Sequence, residues 1–263
     1  MTGEAIVRLS MRQRIREYAL RVPVIIQGIR AIRATLIIGP WRRAAVWFLR
    51  RYSRNTALRR SPDTVFPGLS AASYVSEMQA KGLAAGFALP PAVVEGIYDY
   101  SLKQKESFTG HVDCAEIRQI ASDPFILDVV TGYLGAEPIF YSSYLFWTQP
   151  HNLSKPTYPE KFHYDVSDFK SVQVYFYLTD VDETAGAHSC IEGTHLSKNL
   201  LRLINPFLTD EQALRKYGER VKTLTGKAGI GFFEEQTAFH KRGVCKKPRL
   251  ALLLNYNLHR KPE

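Results

Sequence analysis

A chain of 263 residues, 45% of them hydrophobic, can bury a sizeable core and has room for one catalytic domain with an extension. Its formal charge is +10, yet residues 1–60 hold fourteen arginines against only Glu4 and Glu17, a balance of +12, which leaves about −2 for the remainder. Basicity confined to an extension argues against a nucleic-acid-reading core, and Cys114, Cys190 and Cys245 lack the paired spacing of a disulfide scaffold or zinc knuckle. Three buried thiols in a reducing, cytoplasmic setting are the expectation.

Residues 1–21 read as an arginine-rich helix that breaks near Pro23. From Val22 onward, Ile25, Ile29, Ile32 and Leu36 recur at helical spacing up to a stop at Gly39-Pro40. Arg30 and Arg33 interrupt that run, so it fits neither a secretory signal nor a spanning helix. Next, WRRAAVWFLRRYSR sets Trp41, Trp47 and Phe48 among arginines, the composition of an interfacial helix on an anionic membrane. Packing on the core with arginines in water, or an acidic partner, would produce the same pattern. The expected division is a basic amphipathic extension over 1–60 and a catalytic domain over 61–263.

Residues 61–73 have the proline, glycine and serine content of an irregular entry segment. A short helix then stops at Gly82, an extended piece surrounds Phe87, and a second helix follows Pro90-Pro91, with proline tolerated at its start. His111 and Asp113 form a His-x-Asp pair, for which a turn or cap role outweighs ligation. Two helices divided at Asp123-Pro124 precede a strand beginning near Ile139. Strict alternation there would place Tyr141, Ser143 and Leu145 on one face and Ser142, Tyr144 and Phe146 on the other, one of them lining a pocket.

The stretch KFHYDVSDFKSVQVYFYLTD carries the chemistry. His163 and Asp165 are two residues apart at the mouth of an extended run, so their side chains share a face. His240 follows the apolar run GIGFF, and Arg249 lies nine residues further on. Two histidines and a carboxylate are the set that holds a non-haem ferrous ion while leaving positions open. Residues 151–162 form a polar loop suited to a lid, and 171–179 a core strand. Residues 180–188 read as a turn, and 189–195 as a looser connection. Thr209 opens a short helix with Gln212 in capping-box position, and 221–240 suggest two strands with His240 near the end of the second. RLALLLNYNLH is the last strand. Helices first, then antiparallel strands with long excursions, predict a mainly β fold with supporting helices, a double-sheet jelly roll.

At His163, Asp165, His240 and Arg249, and in YLTDVDETAGAHSCIEGTH and FHKRGVCKKPRLALLLNY, the chain resembles the phytanoyl-CoA dioxygenase family of iron(II)- and 2-oxoglutarate-dependent dioxygenases, over about Tyr74 to His259. The resemblance implies a double-stranded β-helix of the cupin-like kind. It makes His163, Asp165 and His240 the iron ligands and Arg249 the anchor of the distal carboxylate of 2-oxoglutarate, with a hydroxyl from Tyr141, Ser143 or Tyr144 assisting. It further implies hydroxylation of a small molecule by molecular oxygen, with release of succinate and carbon dioxide, and the basic extension together with basic residues of the core tilts the expected substrate toward a lipid-linked or glycolipid one. Asp165 argues against halogenation, which needs that carboxylate absent. Departures at 186–188 and 193–195 put His188 and His195 near the rim, where a structural hydrogen bond is the simpler role. Lys155, Lys161, Lys170, Lys241, Arg242, Lys246 and Lys247 are candidates to meet an anionic substrate. A non-catalytic jelly-roll binding module and a membrane-associated scaffold are the competing readings. On the enzyme reading, loss of residues 1–60 is expected to change location more than chemistry.

Overall fold

The computed structural model describes residues 23–104, 108–110, 112, 114–150, 157–196 and 205–259. The expected helix over 1–21, the pair His111 and Asp113 and half of the proposed lid, 151–156, lie outside the described residues. Helices α1 (Pro23–Ile38), α2 (Arg42–Tyr52) and α3 (Ala71–Lys81) lead into strand β1 (Leu83–Ala88). Then follow α4 (Pro91–Leu102), β2 (Phe108–Gly110), α5 (Ala115–Ala121), α6 (Pro124–Leu134), β3 (Ile139–Thr148), β4 (Ser171–Tyr177) and β5 (His188–Ile191). Helix α7 (Asp210–Tyr217) precedes β6 (Val221–Leu224), β7 (Ile230–Glu234), β8 (Phe239–Arg242) and β9 (Arg249–Asn257).

The strands form a six-stranded sheet in the order β1-β7-β4-β9-β3-β2 and a three-stranded sheet in the order β6-β5-β8, antiparallel throughout. This is the expected helix-supported jelly roll. Side-chain alternation sets what each face of the large sheet buries. Val172, Val174 and Phe176 of β4 and Leu250, Leu252, Leu254 and Tyr256 of β9 join a core shared with α3, α5 and α6. Their neighbours Tyr175, Tyr177 and Ala251 face the small sheet and pack with Phe232, Val181 and Cys190. The helices thus cover one face of the large sheet, and the space between the sheets receives the other.

Local chemistry explains the helix boundaries. Asp123, wholly buried, caps α6 by accepting from Phe125 N at 2.8 Å, and also accepts from Thr64 Oγ1 at 3.0 Å and Val65 N at 2.8 Å. Thr209 and Gln212 form the expected capping box on α7. Gly82 ends α3 with a left-handed φ of 74°, and a Cβ there would strike the His195 ring. Gly231 lies where a Cβ would come within 2.6 Å of both Phe176 and Phe87, so the aromatic core closes over its bare backbone.

Two sequence expectations are corrected. Residues 188–191 form strand β5, whose brevity hides any period, and His240 lies on a third strand, β8, separated from β7 by a tight turn at 235–238. Helix α2 contributes Val46 to the main core and turns Arg42 and Arg50 inward. Chain on both sides of residue 60 bonds to the same body: Asn55 Nδ2 donates to Glu137 O and Leu258 O, and Ser61 N to Ser122 O. Cys114, Cys190 and Cys245 are buried, as expected.

Candidate metal centre

His163 and His240 are brought face to face by backbone pairing. His163 N donates to His240 O at 2.9 Å and His240 N to His163 O at 2.8 Å, while Asp165 N donates to Gln236 O at 2.9 Å. The imidazole Nδ1 atoms lie against main-chain carbonyls, 2.7 Å from Lys161 O and 3.1 Å from Ala238 O. That contact fixes Nδ1 as the protonated nitrogen of a neutral ring and leaves Nε2 as the donor to a metal. The ring centroids are 4.6 Å apart, and Asp165 Oδ2 is 3.6 Å from His240 Nε2. One ligand atom from each of His163, Asp165 and His240 lies within 4.8 Å of the others, the only such group of three among the described residues. Two imidazoles and a carboxylate on one side of an open space are a donor set suited to a divalent iron with free positions.

The electrostatics agree with mutual proximity. Burial and the neighbouring His240 push His163 down to about 4. Burial also opposes charge on His240, but the carboxylates of Glu234 and Asp165 outweigh it and raise that ring to about 9. The wholly buried Glu234 bonds His188 Nε2 at 2.9 Å, and the His188 ring stacks 5.5 Å from His240. His188 and Glu234 therefore flank the centre. The DETAGAH motif flagged His188, while Glu234, within an apolar strand, gave no signal of a polar partner across the sheet.

The turn that leads to His240 is held by a polar network. Gln236 Nε2 donates to Asn255 Oδ1 at 2.8 Å, and Asn255 Nδ2 to Ser142 Oγ at 2.9 Å. Ser171 Oγ, at 3.1 Å, and Ser167 Oγ donate to Gln236 Oε1. Because Gln236 O also receives Asp165 N, this network sets Asp165 relative to His240.

The three candidate ligands line a cavity of about 710 Å³ with Arg249 and Arg242. Arg249, 1% exposed, starts β9 opposite Thr148 of β3. Its Nη1 donates to Gly186 O, and its Nη2 reaches Tyr175 Oη at 3.4 Å and Thr148 Oγ1 at 3.5 Å. Among the described residues Nε has no hydrogen-bond partner and no carboxylate pairs with this guanidinium. A buried cation satisfied only by neutral acceptors is costly unless an anion joins it. The cavity therefore suits a ligand carrying a carboxylate, which an arginine fork receives in two-point fashion.

Tyr141 and Tyr144 line this cavity, but Ser143 does not. A bulge between Phe140 and Ser142 adds one residue to β3, so Tyr141 joins the face of Ser142, Tyr144 and Phe146, against the strict alternation expected. Ser143 instead accepts from Val112 N at 2.9 Å and lines a separate small cavity with Leu58 and Phe140. Of the candidate cations, Lys170 donates to Tyr133 O, Lys241 pairs with Asp210 and Lys247 with Asp182, and Arg242 lines the cavity while paired with Glu160. His195 is buried under α3, its Nε2 3.3 Å from Gln79 O, and stands apart from the cavity.

No protein-family model matches the chain, and no curated protein sequence matches it. Solved structures do. The epimerase SnoN, crystallised with Fe3+, α-ketoglutarate and nogalamycin RO, superposes with a TM-score of 0.55 at 16% identity, covering 71% of this chain and 82% of its own. EctD from S. alaskensis, with 2-oxoglutarate and 5-hydroxyectoine, gives 0.53 at 15% identity over 79% and 85%. The non-haem carbocyclase SnoK, α-ketoglutarate dependent, gives 0.50 at 16% over 74% and 87%. The chain shares the fold of these three enzymes. At these identities the likeness is one of architecture, and an epimerase, a carbocyclase and EctD share it.

Proposed function

We propose that this chain is an iron(II)- and 2-oxoglutarate-dependent dioxygenase of the phytanoyl-CoA dioxygenase kind, hydroxylating an aliphatic carbon of a small-molecule, lipid-linked or glycolipid substrate. The observation that carries the reading is Arg249: a buried guanidinium without a carboxylate partner among the described residues, on the same cavity as His163, Asp165 and His240. The relatives of shared fold crystallised with iron or 2-oxoglutarate lend support.

His163, Asp165 and His240 would hold the metal, and Arg249 would take the far carboxylate of 2-oxoglutarate, with Tyr175 and Thr148 as hydroxyl partners. When bound, iron and 2-oxoglutarate supply an oxidant that takes hydrogen from an unactivated C–H bond, with oxygen consumed and succinate and carbon dioxide released. The protein's part is placement and exclusion of water. Tyr158, whose ring centroid is 4.6 Å from that of His163, and Tyr141 and Tyr144 wall the space beside the ligands, where substrate would be aimed. Arg242, ion-paired with Glu160 at 3.2 Å, also lines that space and would offer hydrogen-bond donors to a polar substrate group.

Anaerobic titration of the purified protein with ferrous ion and 2-oxoglutarate tests the reading. A weak visible metal-to-ligand band should form in the wild type. In Arg249→Ala it should require about 30-fold or more 2-oxoglutarate, the loss expected when a buried ionic partner is removed. No band in well-folded wild type would leave the non-catalytic binding module in its place, and an unchanged 2-oxoglutarate requirement in the variant would remove Arg249 from its role.

A further inference from the structure

Helix α2 has two faces of opposite use. Val46, Leu49, Arg42 and Arg50 turn toward the core. On the other side Trp41, Phe48 and Tyr52, at 45%, 55% and 61% exposed, recur at i, i+7 and i+11, a stripe of successive helical turns, with Trp47 beside them at 65%. The same occurs on α1, where the buried Ala34 and Ile38 oppose the exposed Ile29, Ile32 and Leu36 at i, i+3 and i+7. The two stripes meet at the corner, where Trp41 Nε1 donates to Leu36 O at 2.8 Å. Seven large apolar side chains thus stand in solvent on two consecutive helices, more than scattered surface exposure accounts for. Arg43, Arg51 and Arg54 are exposed alongside them, and residues 1–60 balance at +12.

We propose that this face of α1 and α2 docks the protein on an anionic lipid bilayer. The chemistry selects that occupant. A second copy of the chain would bring like charges together, which opposes association. A nucleic-acid backbone would engage the arginines but leave Ile29, Ile32 and Leu36 without apolar contact. An anionic bilayer satisfies both parts: aliphatic and aromatic groups enter the boundary between headgroups and acyl chains, and arginines stay at the phosphates. No described helix is long and apolar enough to cross a membrane, so the contact is lateral. Beneath the stripe, Phe48 and Tyr52 edge a cleft of about 750 Å³ with Ile37, Leu49 and Ser167, and Ser167 also lines the cavity of His163, Asp165 and His240. Docking therefore sets the lipid surface beside the wall of that cavity, though it does not depend on the oxygenase reading.

Vesicle flotation of the full-length chain tests the proposal, with phosphatidylcholine vesicles alone and with phosphatidylglycerol added. Binding should occur on the anionic vesicles, weaken with added salt and blue-shift tryptophan emission. The double variant Trp47→Glu/Phe48→Glu should lose binding about tenfold or more, with its thermal midpoint and its ferrous 2-oxoglutarate band as in the wild type. Lack of binding to anionic vesicles, equal binding to neutral ones, or a double variant that binds like the wild type would each overturn it. A wild type that ignores vesicles but is dimeric, and becomes monomeric on the double substitution, would assign the face to a second copy instead. The anaerobic titration and the flotation fail independently, so either result stands alone.

Discussion

At the scale of single residues, the candidate centre combines backbone-paired histidines with a side-chain hydrogen-bond support. Gln236 is the clearest supporting side chain, because its amide joins Ser167, Ser171 and Asn255 while its carbonyl holds Asp165 N. Gln236→Leu keeps all three ligands yet frees the turn that sets their spacing. Metal affinity should fall about 10- to 100-fold, measured by ferrous or cobaltous titration, with the circular dichroism spectrum retained; unchanged affinity would reduce the network to a packing role. Asp165→Ala, by contrast, should abolish tight metal binding outright, since it removes the only carboxylate of the set. The three candidate ligands could be picked out in the sequence because period-two spacing and chain order are local properties, and the fold brings them together. Their environment could not. One bulge parts Tyr141 from Ser143, expected on a common face, and Glu234 meets His188 only through folding that joins strands far apart in sequence.

At the scale of elements, helices were read better than short strands, and the reason is the signal each carries. Caps and breakers such as Asp123, Gly135, Thr209 and Gly218 act within a turn of their own helix and mark it directly. Strand β5 has four residues, all buried, and its identity comes from pairing with β6 and β8 rather than from its own pattern. Asp123 shows how much one such local marker supports. It satisfies the start of α6 and also Thr64 and Val65, so Asp123→Ala leaves several donors unpaired next to the core. The expected cost is about 2 kcal/mol, read from the denaturant midpoint, and Asp123→Asn should recover part of it. A loss below a few tenths would show that water replaces the cap.

At the scale of the whole molecule, the basic amphipathic segment and the jelly roll share a buried junction that arginine counting could not show. Arg42 reaches Glu235 Oε1 at 2.8 Å and also donates to Phe169 O and His195 O, while Tyr133 Oη donates to Glu235 Oε2 at 2.6 Å. Glu235 adjoins Gln236, so the segment bonds directly to the turn that leads to His240. The expectation that removing residues 1–60 affects location more than chemistry therefore needs revision: Arg42→Ala alone should cost about 3 kcal/mol by taking the paired cation from a buried carboxylate, and truncation more. Lys170 lies against the same junction, 3.6 Å above the Tyr133 ring and facing Glu235, Arg42 and Arg50. Burial, aided by Arg50 and Arg42 and opposed by Glu235, lowers its pKa from 10.5 to about 7. The unfolded chain then binds a proton between those values that the fold does not, so this lysine makes stability rise with pH across the interval from about 7 to 10.5. Below 7 both states are protonated and its penalty is full and constant. Denaturant unfolding of wild type and Lys170→Met at steps across that interval should show the upward slope in the former and a flatter one in the latter. Parallel slopes would mean that Lys170 keeps its charge in the fold, held by Glu235, and that the junction between helices and jelly roll is an ion network at every working pH.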